Sequence, residues 1–434
     1  MANKEPASNE SSNVIMPSVT VQLESPPIPP DVEVKYDPIE EGRLTAIRES
    51  AVRLLQAITA DEHCDCVWSL KESIWPARSL AEYKNVPPER VTLVLLPLSR
   101  IGQMEGKSGS LVLIGYFSDA STAGLPRSHP VVVKTIPTSN ETKKLRDEFD
   151  NGLSIKPFAY DQKDVFAIPF RFDADSSGFH VLWSIFSASE PVWSGNSAEP
   201  SIVVRDLRDP LKTNETETVK AVLSSTCTTL RNCHTSFGRQ KREDRAIGSE
   251  YEWYLRGFGT LWGEDWHEVW KEPTDSMVEI DGEQRANPLW VVEQLRTARS
   301  AMTIGAIHGD LHPGNIVLAP TGHARIIDFG WSQQNAHIAK DFVLLECNIR
   351  FLTLRPQLSL ADTRRFARWI EWDASTPDDL GDYCRQRADL VLHLRQLARQ
   401  AFPECHRAVQ IPPLVGGMGQ PGLMIVGIST IGKR

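Results

Sequence analysis

The apolar positions change period along the chain. Between Glu40 and about Ala60, Leu44, Ile47, Ala51, Leu54, Leu55 and Ile58 recur three or four residues apart, which predicts an amphipathic helix. From Pro88 the apolar residues come in short unbroken runs instead: Val91–Leu96, Leu111–Phe117, Pro130–Ile136, Val165–Phe172 and Phe179–Phe186. Their length and their share of β-branched and aromatic side chains predict five strands. A helix of about Glu141–Leu153 falls between the third and fourth, with Leu145 and Phe149 facing inward. From about Thr216 the helical period returns. Val219, Val222, Leu223 and Leu230 mark one helix, and Trp290, Val291, Val292, Leu295 and Ala298 another, expected to lead straight into Ile307-His308. A last helix spans about Leu380–Ala401. One hairpin is set among these helices: Asn315–Leu318 and Ala324–Ile327 flank Ala319-Pro-Thr-Gly322, whose Pro and Gly sit where a type I turn prefers them.

Strands followed by helices predict an α+β chain. The expected organisation is a β-rich lobe over 88–186 and a mainly helical lobe over 187–410. A Ser-, Pro-, Glu- and Asn-rich arm (1–38), expected to be disordered, and a helical extension (39–87) precede them, and a Gly-rich apolar tail (411–434) follows. The extension helix is expected to pack on the first lobe; a protein partner for it is the alternative.

Composition narrows the function classes. With 41% hydrophobic and 24% charged residues among 434, the chain has material for a large core. A formal net charge of −9 disfavours a nucleic-acid backbone as partner and is compatible with a cationic ligand. Seven scattered cysteines suit reduced structural thiols; Cys64 and Cys66 form the one cluster, a weak zinc set without a second pair. The N-terminus lacks a secretory pattern and no window approaches a membrane span, so the cytoplasm is the expected compartment.

The chemistry is concentrated in His308-Gly-Asp310-Leu-His-Pro-Gly-Asn315 and Asp328-Phe-Gly330. The hairpin between them sets its ends side by side, so Asn315 and Asp328 are expected to meet. An amide oxygen and a carboxylate are hard ligands that suit Mg2+ with waters and phosphate oxygens completing its shell. Asp310, on the loop entering the hairpin, can accept a proton from an attacking hydroxyl. The pattern H-x-D-x-x-x-x-N followed by D-F-G is the signature of the protein-kinase-like fold. In its H-G-D-L-H-P-G-N form it resembles the aminoglycoside phosphotransferase and choline kinase group of small-molecule kinases. The resemblance implies a bilobal fold with a five-stranded antiparallel N-lobe, ATP and Mg2+ as cofactors, and a hydroxyl-bearing small molecule as acceptor. It makes Asp310 the catalytic base, Asn315 and Asp328 the metal ligands, and His308 the brace behind the loop.

Upstream, Gly102-Gln-Met-Glu-Gly106-Lys-Ser108-Gly109-Ser110 lies between two predicted strands. Gly102 and Gly106 enclose three residues where a Walker A loop needs four, and a strand follows rather than a helix, so Gly102, Gly106, Ser108 and Gly109 read as a phosphate flap. Lys134 ends a Val-Val-Val run. Such a lysine is commonly solvent-facing, but in kinases it pairs with the nucleotide phosphates, held by an acid from the next helix. Glu148 is the favoured partner, with Glu141 the alternative. The adenine is expected to meet backbone groups near Phe186–Ser189. Asp341 is expected to N-cap the helix after Asp328-Phe-Gly, at the place where the small-molecule kinases carry an element that steadies the catalytic loop. No Ala-Pro-Glu follows, unlike in ordinary protein kinases. Trp253, Trp262, Trp266, Trp270 and Trp290 read as packing residues, or as an aromatic wall for a cation. Trp369–Asp373 and Asp378–Asp382 read as acidic turns, or as part of an acceptor pocket. A nucleotide-binding regulatory module and an atypical protein kinase are the rival function classes.

Overall fold

The computed structural model describes residues 20–23, 38–59, 91–97, 110–119, 131–137, 142–159, 162, 165–174, 178–186, 205–237, 240–252, 275–280, 283–318, 324–355, 357–359, 361–363, 365–366 and 380–401. Gly102, Gly106, Ser108 and Gly109, the turn at 319–322, residues 187–189, Cys64, Cys66, Cys405, the tryptophans at 253–270, the acids at 369–373 and 378–379, and the tail fall outside these residues. The chain is α+β and divides into two compact units, Met1–Thr142 with Phe170–Ile185, and Lys143–Pro169 with Phe186–Arg434.

Among the described residues, the first unit holds a six-stranded sheet and one helix. Its elements are β1 (Thr20–Leu23), α1 (Pro38–Thr59), β2 (Val91–Pro97), β3 (Leu111–Asp119), β4 (Val131–Pro137), β5 (Pro169–Ala174) and β6 (Phe179–Ile185). The strand order is β1-β2-β3-β4-β6-β5. The expected five-stranded antiparallel sheet is corrected in two ways. β1 comes from the arm expected to be disordered, where Thr-Val-Gln-Leu is a short proline-free run with strand propensity, and it pairs in parallel with β2. β5 starts at Pro169 rather than Val165.

Alternation assigns the sheet faces. Leu93, Leu95, Leu113, Phe117, Val131, Val133, Val181 and Trp183 share one face, and Ala46, Ile47, Ala51 and Leu54 of α1 pack on it. The helix expected as an extension is therefore part of this core. The Trp183 indole N–H donates to Ser50 Oγ at 2.7 Å, and Ser50 in turn donates to Asp173, so a buried donor is satisfied across the helix–sheet seam. Lys134 lies on the opposite face of β4, in register with Val112 of β3 and Leu182 of β6.

The second unit opens with α2 (Thr142–Ala159), the helix expected in the β-rich lobe. Its packing explains the difference. Gly152 faces Pro169, Ile168 and Phe329, and Phe158 meets Phe166, His234 and Phe237 edge-on. Then come β7 (Arg205–Asp206), α3 (Arg208–Thr213), α4 (Thr216–Phe237), β8 (Lys241–Ala246), α5 (Ile247–Glu250), the hairpin β9 (Met277–Ile280) and β10 (Glu283–Ala286), and α6 (Pro288–Thr297). β11 (Arg299–Ile307) follows, so α6 does not run straight into His308 as expected. Met302, Ile304, Ala306 and Ile307 are buried in β11, which sits between β8 and β14 (Gln333–His337). A second small sheet orders β13 (Ala324–Ile326), β12 (Ile316–Leu318) and β7. α7 (Ala339–Cys347) and α8 (Asp382–Ala401) follow, and α8 packs on α4, where His393 Nε2 lies 2.9 Å from Ser224 Oγ. No helix among the described residues is long and apolar enough to cross a membrane.

Candidate active site

β11 delivers the chain to His308 in a sharply fixed conformation. Gly309 has φ +84°, and a Cβ there would sit 2.1 Å from the Trp331 carbonyl oxygen, so only glycine fits. The amides of His308 and Gly309 both donate to the Asp341 carboxylate, at 2.9 and 2.8 Å. Asp341 therefore does not cap α7, as the sequence suggests. The N-cap is Ile338, and Asp341 lies in the first turn with its carboxylate turned toward the loop. Burial pushes its carboxyl up to about 6, and the two amide donors oppose that shift.

His308 is locked from both ring nitrogens. Nε2 lies 2.9 Å from the Ile327 carbonyl, which can only accept, so Nε2 carries the proton. Nδ1 accepts from the Asp310 amide at 3.3 Å. The ring stands edge-on to Phe329 with centroids 5.2 Å apart, and Ser332 Oγ donates to the His308 carbonyl. Burial pushes the imidazole down to about 4, so it is neutral. His308 thus ties the loop that carries Asp310 to the peptide just before Asp328.

The hairpin aligns the other pair. Ile316 faces Ile326, and the Asn315 carbonyl accepts from the Ile327 amide at 3.1 Å, which puts Asn315 one residue from Asp328 across the strands. Asn315 Nδ2 donates to the Asp310 carbonyl at 2.8 Å, so Oδ1 is the end left for a cation. Asp328 has φ 66°, a left-handed conformation that Asp tolerates better than most residues. Phe329 is fully buried against Phe166 and His308 and anchors that turn. No group of three or more His, Cys, Asp or Glu able to hold a metal occurs among the described residues. Asn315 and Asp328 fit a cation that takes few protein ligands and completes its shell with water and phosphate oxygens, as magnesium does.

Glu148 and Lys134 belong to different units. Glu148 is buried on α2, and its Cβ lies 3.9 Å from where a Cβ on Gly330 would be. Lys134 lies on β4 of the first unit. Two contributors carry no recognised motif, and a third, His312, lies inside the H-G-D-L-H-P-G-N motif without a role assigned to it there. Asn151, one turn beyond Glu148 on α2, donates from Nδ2 to the Gly330 carbonyl at 2.7 Å; its three-residue spacing from Glu148 is the signal that could have found it. Asp206 accepts from the Arg208 backbone and guanidinium, and that guanidinium packs beneath Gly314. His312 Nδ1 accepts from the Gly314 amide at 3.0 Å, and its Nε2 lies 3.8 Å from Asp310 Oδ2.

The family described as Ternary complex associated domain 9 matches residues 211–410. No curated protein matches the chain. Among solved structures, the chain is similar to aminoglycoside phosphotransferase APH(3'')-Id from Streptomyces rimosus, at 16% identity and a TM-score of 0.31, over 67% of this chain and 90% of that one. It is similar to choline kinase LicA from Streptococcus pneumoniae at 16% identity and a TM-score of 0.30, over 65% of this chain and 89% of that one. A third similarity, to the kinase PK-1 of Cydia pomonella granulovirus, has 10% identity and a TM-score of 0.31, over 76% of this chain and 98% of that one.

Proposed function

We propose that the chain is a kinase-like phosphotransferase that moves the γ-phosphate of ATP to a hydroxyl of a small-molecule acceptor. The observation that carries this reading is the cross-tied loop. His308 joins the segment bearing Asp310 to the segment bearing Asp328, while Asn315 is bonded to the Asp310 carbonyl, so the segments carrying Asp310, Asn315 and Asp328 form one braced unit. In the proposed reaction Asp310 accepts the acceptor's proton as its oxygen bonds to the γ-phosphorus and the bond to the bridging oxygen breaks. Asn315 Oδ1 and the Asp328 carboxylate would hold Mg2+, whose chemistry when bound is to neutralise phosphate charge. Lys134 would steady the phosphates, with Glu148 as its partner, and Gly102, Gly106, Ser108 and Gly109 would cover them. Most of the rate enhancement would come from positioning and charge stabilisation.

The test is phosphate transfer from ATP to a panel of small alcohols, amino sugars and amino alcohols, followed by mass spectrometry. The reading expects a phosphorylated product that forms only with magnesium. ATP binding with no product across the panel would favour a second reading, that of a nucleotide-binding component of a larger assembly. The family description matched over residues 211–410 supports that second reading, and stable co-purification with partner proteins would mark it.

A further inference from the structure

Glu250 ends α5, far in sequence from the catalytic loop, and the reaction described above does not use it. Its side chain is only 6% exposed, yet its carboxylate takes three donors: the His337 amide at 2.8 Å, Lys340 Nζ at 2.7 Å and Arg245 Nη1 at 2.8 Å. Burial alone would push its carboxyl up, but Lys340, the His337 amide and Arg245 outweigh it and hold the group below the ordinary carboxylate range.

Two of those donors belong to the start of α7. His337 immediately precedes the N-cap Ile338, which offers no side-chain cap, and Lys340 is the second residue of the helix. Tyr251 adds to the same clamp: its hydroxyl meets His337 Nδ1 at 2.7 Å and its ring lies 5.3 Å from the Lys340 ammonium. The next residue in the helix, Asp341, holds the His308 and Gly309 amides. A continuous set of short bonds therefore runs from Glu250 through the first turn of α7 to the peptide that presents Asp310. All of it lies within the second unit.

We propose that Glu250 is a positioning residue for the catalytic loop: by clamping the first turn of α7 it fixes where Asp341 holds His308 and Gly309, and so where Asp310 stands. Its effect on turnover rests on the phosphotransferase reading; its effect on loop order does not. A lost half of a buried ion pair strands the other charge, whereas removing both halves is often neutral for stability. The decisive variant is therefore the double change Glu250→Gln with Lys340→Met, beside Glu250→Gln alone.

The measurement is hydrogen exchange of the full chain, read on peptides spanning His308 and Gly309 and on control peptides from α4 and α8, together with basal ATP hydrolysis in magnesium. The double variant is expected to keep its unfolding midpoint, to exchange about tenfold faster at His308 and Gly309 only, and to lose about tenfold in kcat with KM for ATP within about twofold. Wild-type exchange at those two amides, or a uniform rise across all peptides, would overturn the proposal. Should the double variant fail to fold, Glu250→Asp keeps the charge and shortens its reach. Intermediate exchange at the two amides then supports the clamp, and wild-type exchange counts against it. A wild-type chain that hydrolyses no ATP would speak against the enzymatic reading while leaving the exchange result to decide the clamp.

Discussion

At the scale of single residues, the site depends on two left-handed backbone positions. Gly309 at φ +84° lets both loop amides reach Asp341, and Gly309→Ala would drive a Cβ into the Trp331 carbonyl. The conformational cost alone is roughly 1–2 kcal/mol, so we expect a lower unfolding midpoint and weaker turnover, read by thermal melts and by the transfer assay. Asp328 is left-handed too, and asparagine tolerates that conformation. Asp328→Asn therefore separates charge from shape: the melt should stay near wild type while calorimetry shows magnesium-dependent ADP affinity falling by at least ~10-fold. Unchanged affinity would remove Asp328 from the proposed metal-holding role. The spacing of His308, Asp310, Asn315 and Asp328 is legible in the sequence because a short hairpin forces those neighbours together. The resemblance places Asp341 at a loop-steadying element, but its bonds to the His308 and Gly309 amides, 33 and 32 positions away, are not legible, because backbone amides leave no trace in side-chain identity.

At the scale of elements, α1 and α2 each do more than their sequence pattern states. The three- and four-residue spacing of Ile47, Ala51 and Leu54 predicts a helix but not its partner; the structure packs it on Val131, Val133 and Trp183. Leu54 is fully buried, so Leu54→Ala should cost ~2–5 kcal/mol in a denaturant titration, well beyond a surface helix change. α2 supplies Asn151 to the Gly330 carbonyl. Asn151→Ala should cost only about 1 kcal/mol of stability, yet loosen the turn at Asp328 and weaken magnesium-nucleotide binding, which a paired melt and calorimetric titration would reveal. β8, Lys-Arg-Glu-Asp-Arg-Ala, has no apolar alternation to mark it in the sequence; it is a strand because β11 offers it a paired edge. The helical period of Trp290–Ala298 runs up to the start of β11 and masks it.

At the scale of the whole molecule, the division into two units crosses the expected boundary, because Gly152 and Phe158 commit α2 to the company of Phe329 and Phe166. The second unit also buries neutral histidines. His234 and His337 are pushed from 6.5 down to about 4 by burial. Unfolded, they bind protons below 6.5, while folded they resist until about 4, so stability falls as pH drops through that window and levels off beneath it. Each contributes up to roughly 3 kcal/mol of this loss. Asp341 opposes it, since its folded carboxyl titrates near 6 rather than 3.8 and so gains relative stability as pH falls between those values. His308 is shifted the same way, so three groups outweigh one, and urea midpoints should decline from pH 7 to about 4.5.

The proposed transfer depends first on Asp310, held by Asn315 from one side and His308 from the other. Its most direct test is magnesium-dependent ATP turnover by wild type and Asp310→Asn, side by side with ADP binding to each. Turnover by Asp310→Asn is expected to fall ~10²–10⁴-fold with ADP affinity changed by no more than a few-fold. Near-wild-type turnover by Asp310→Asn would contradict it.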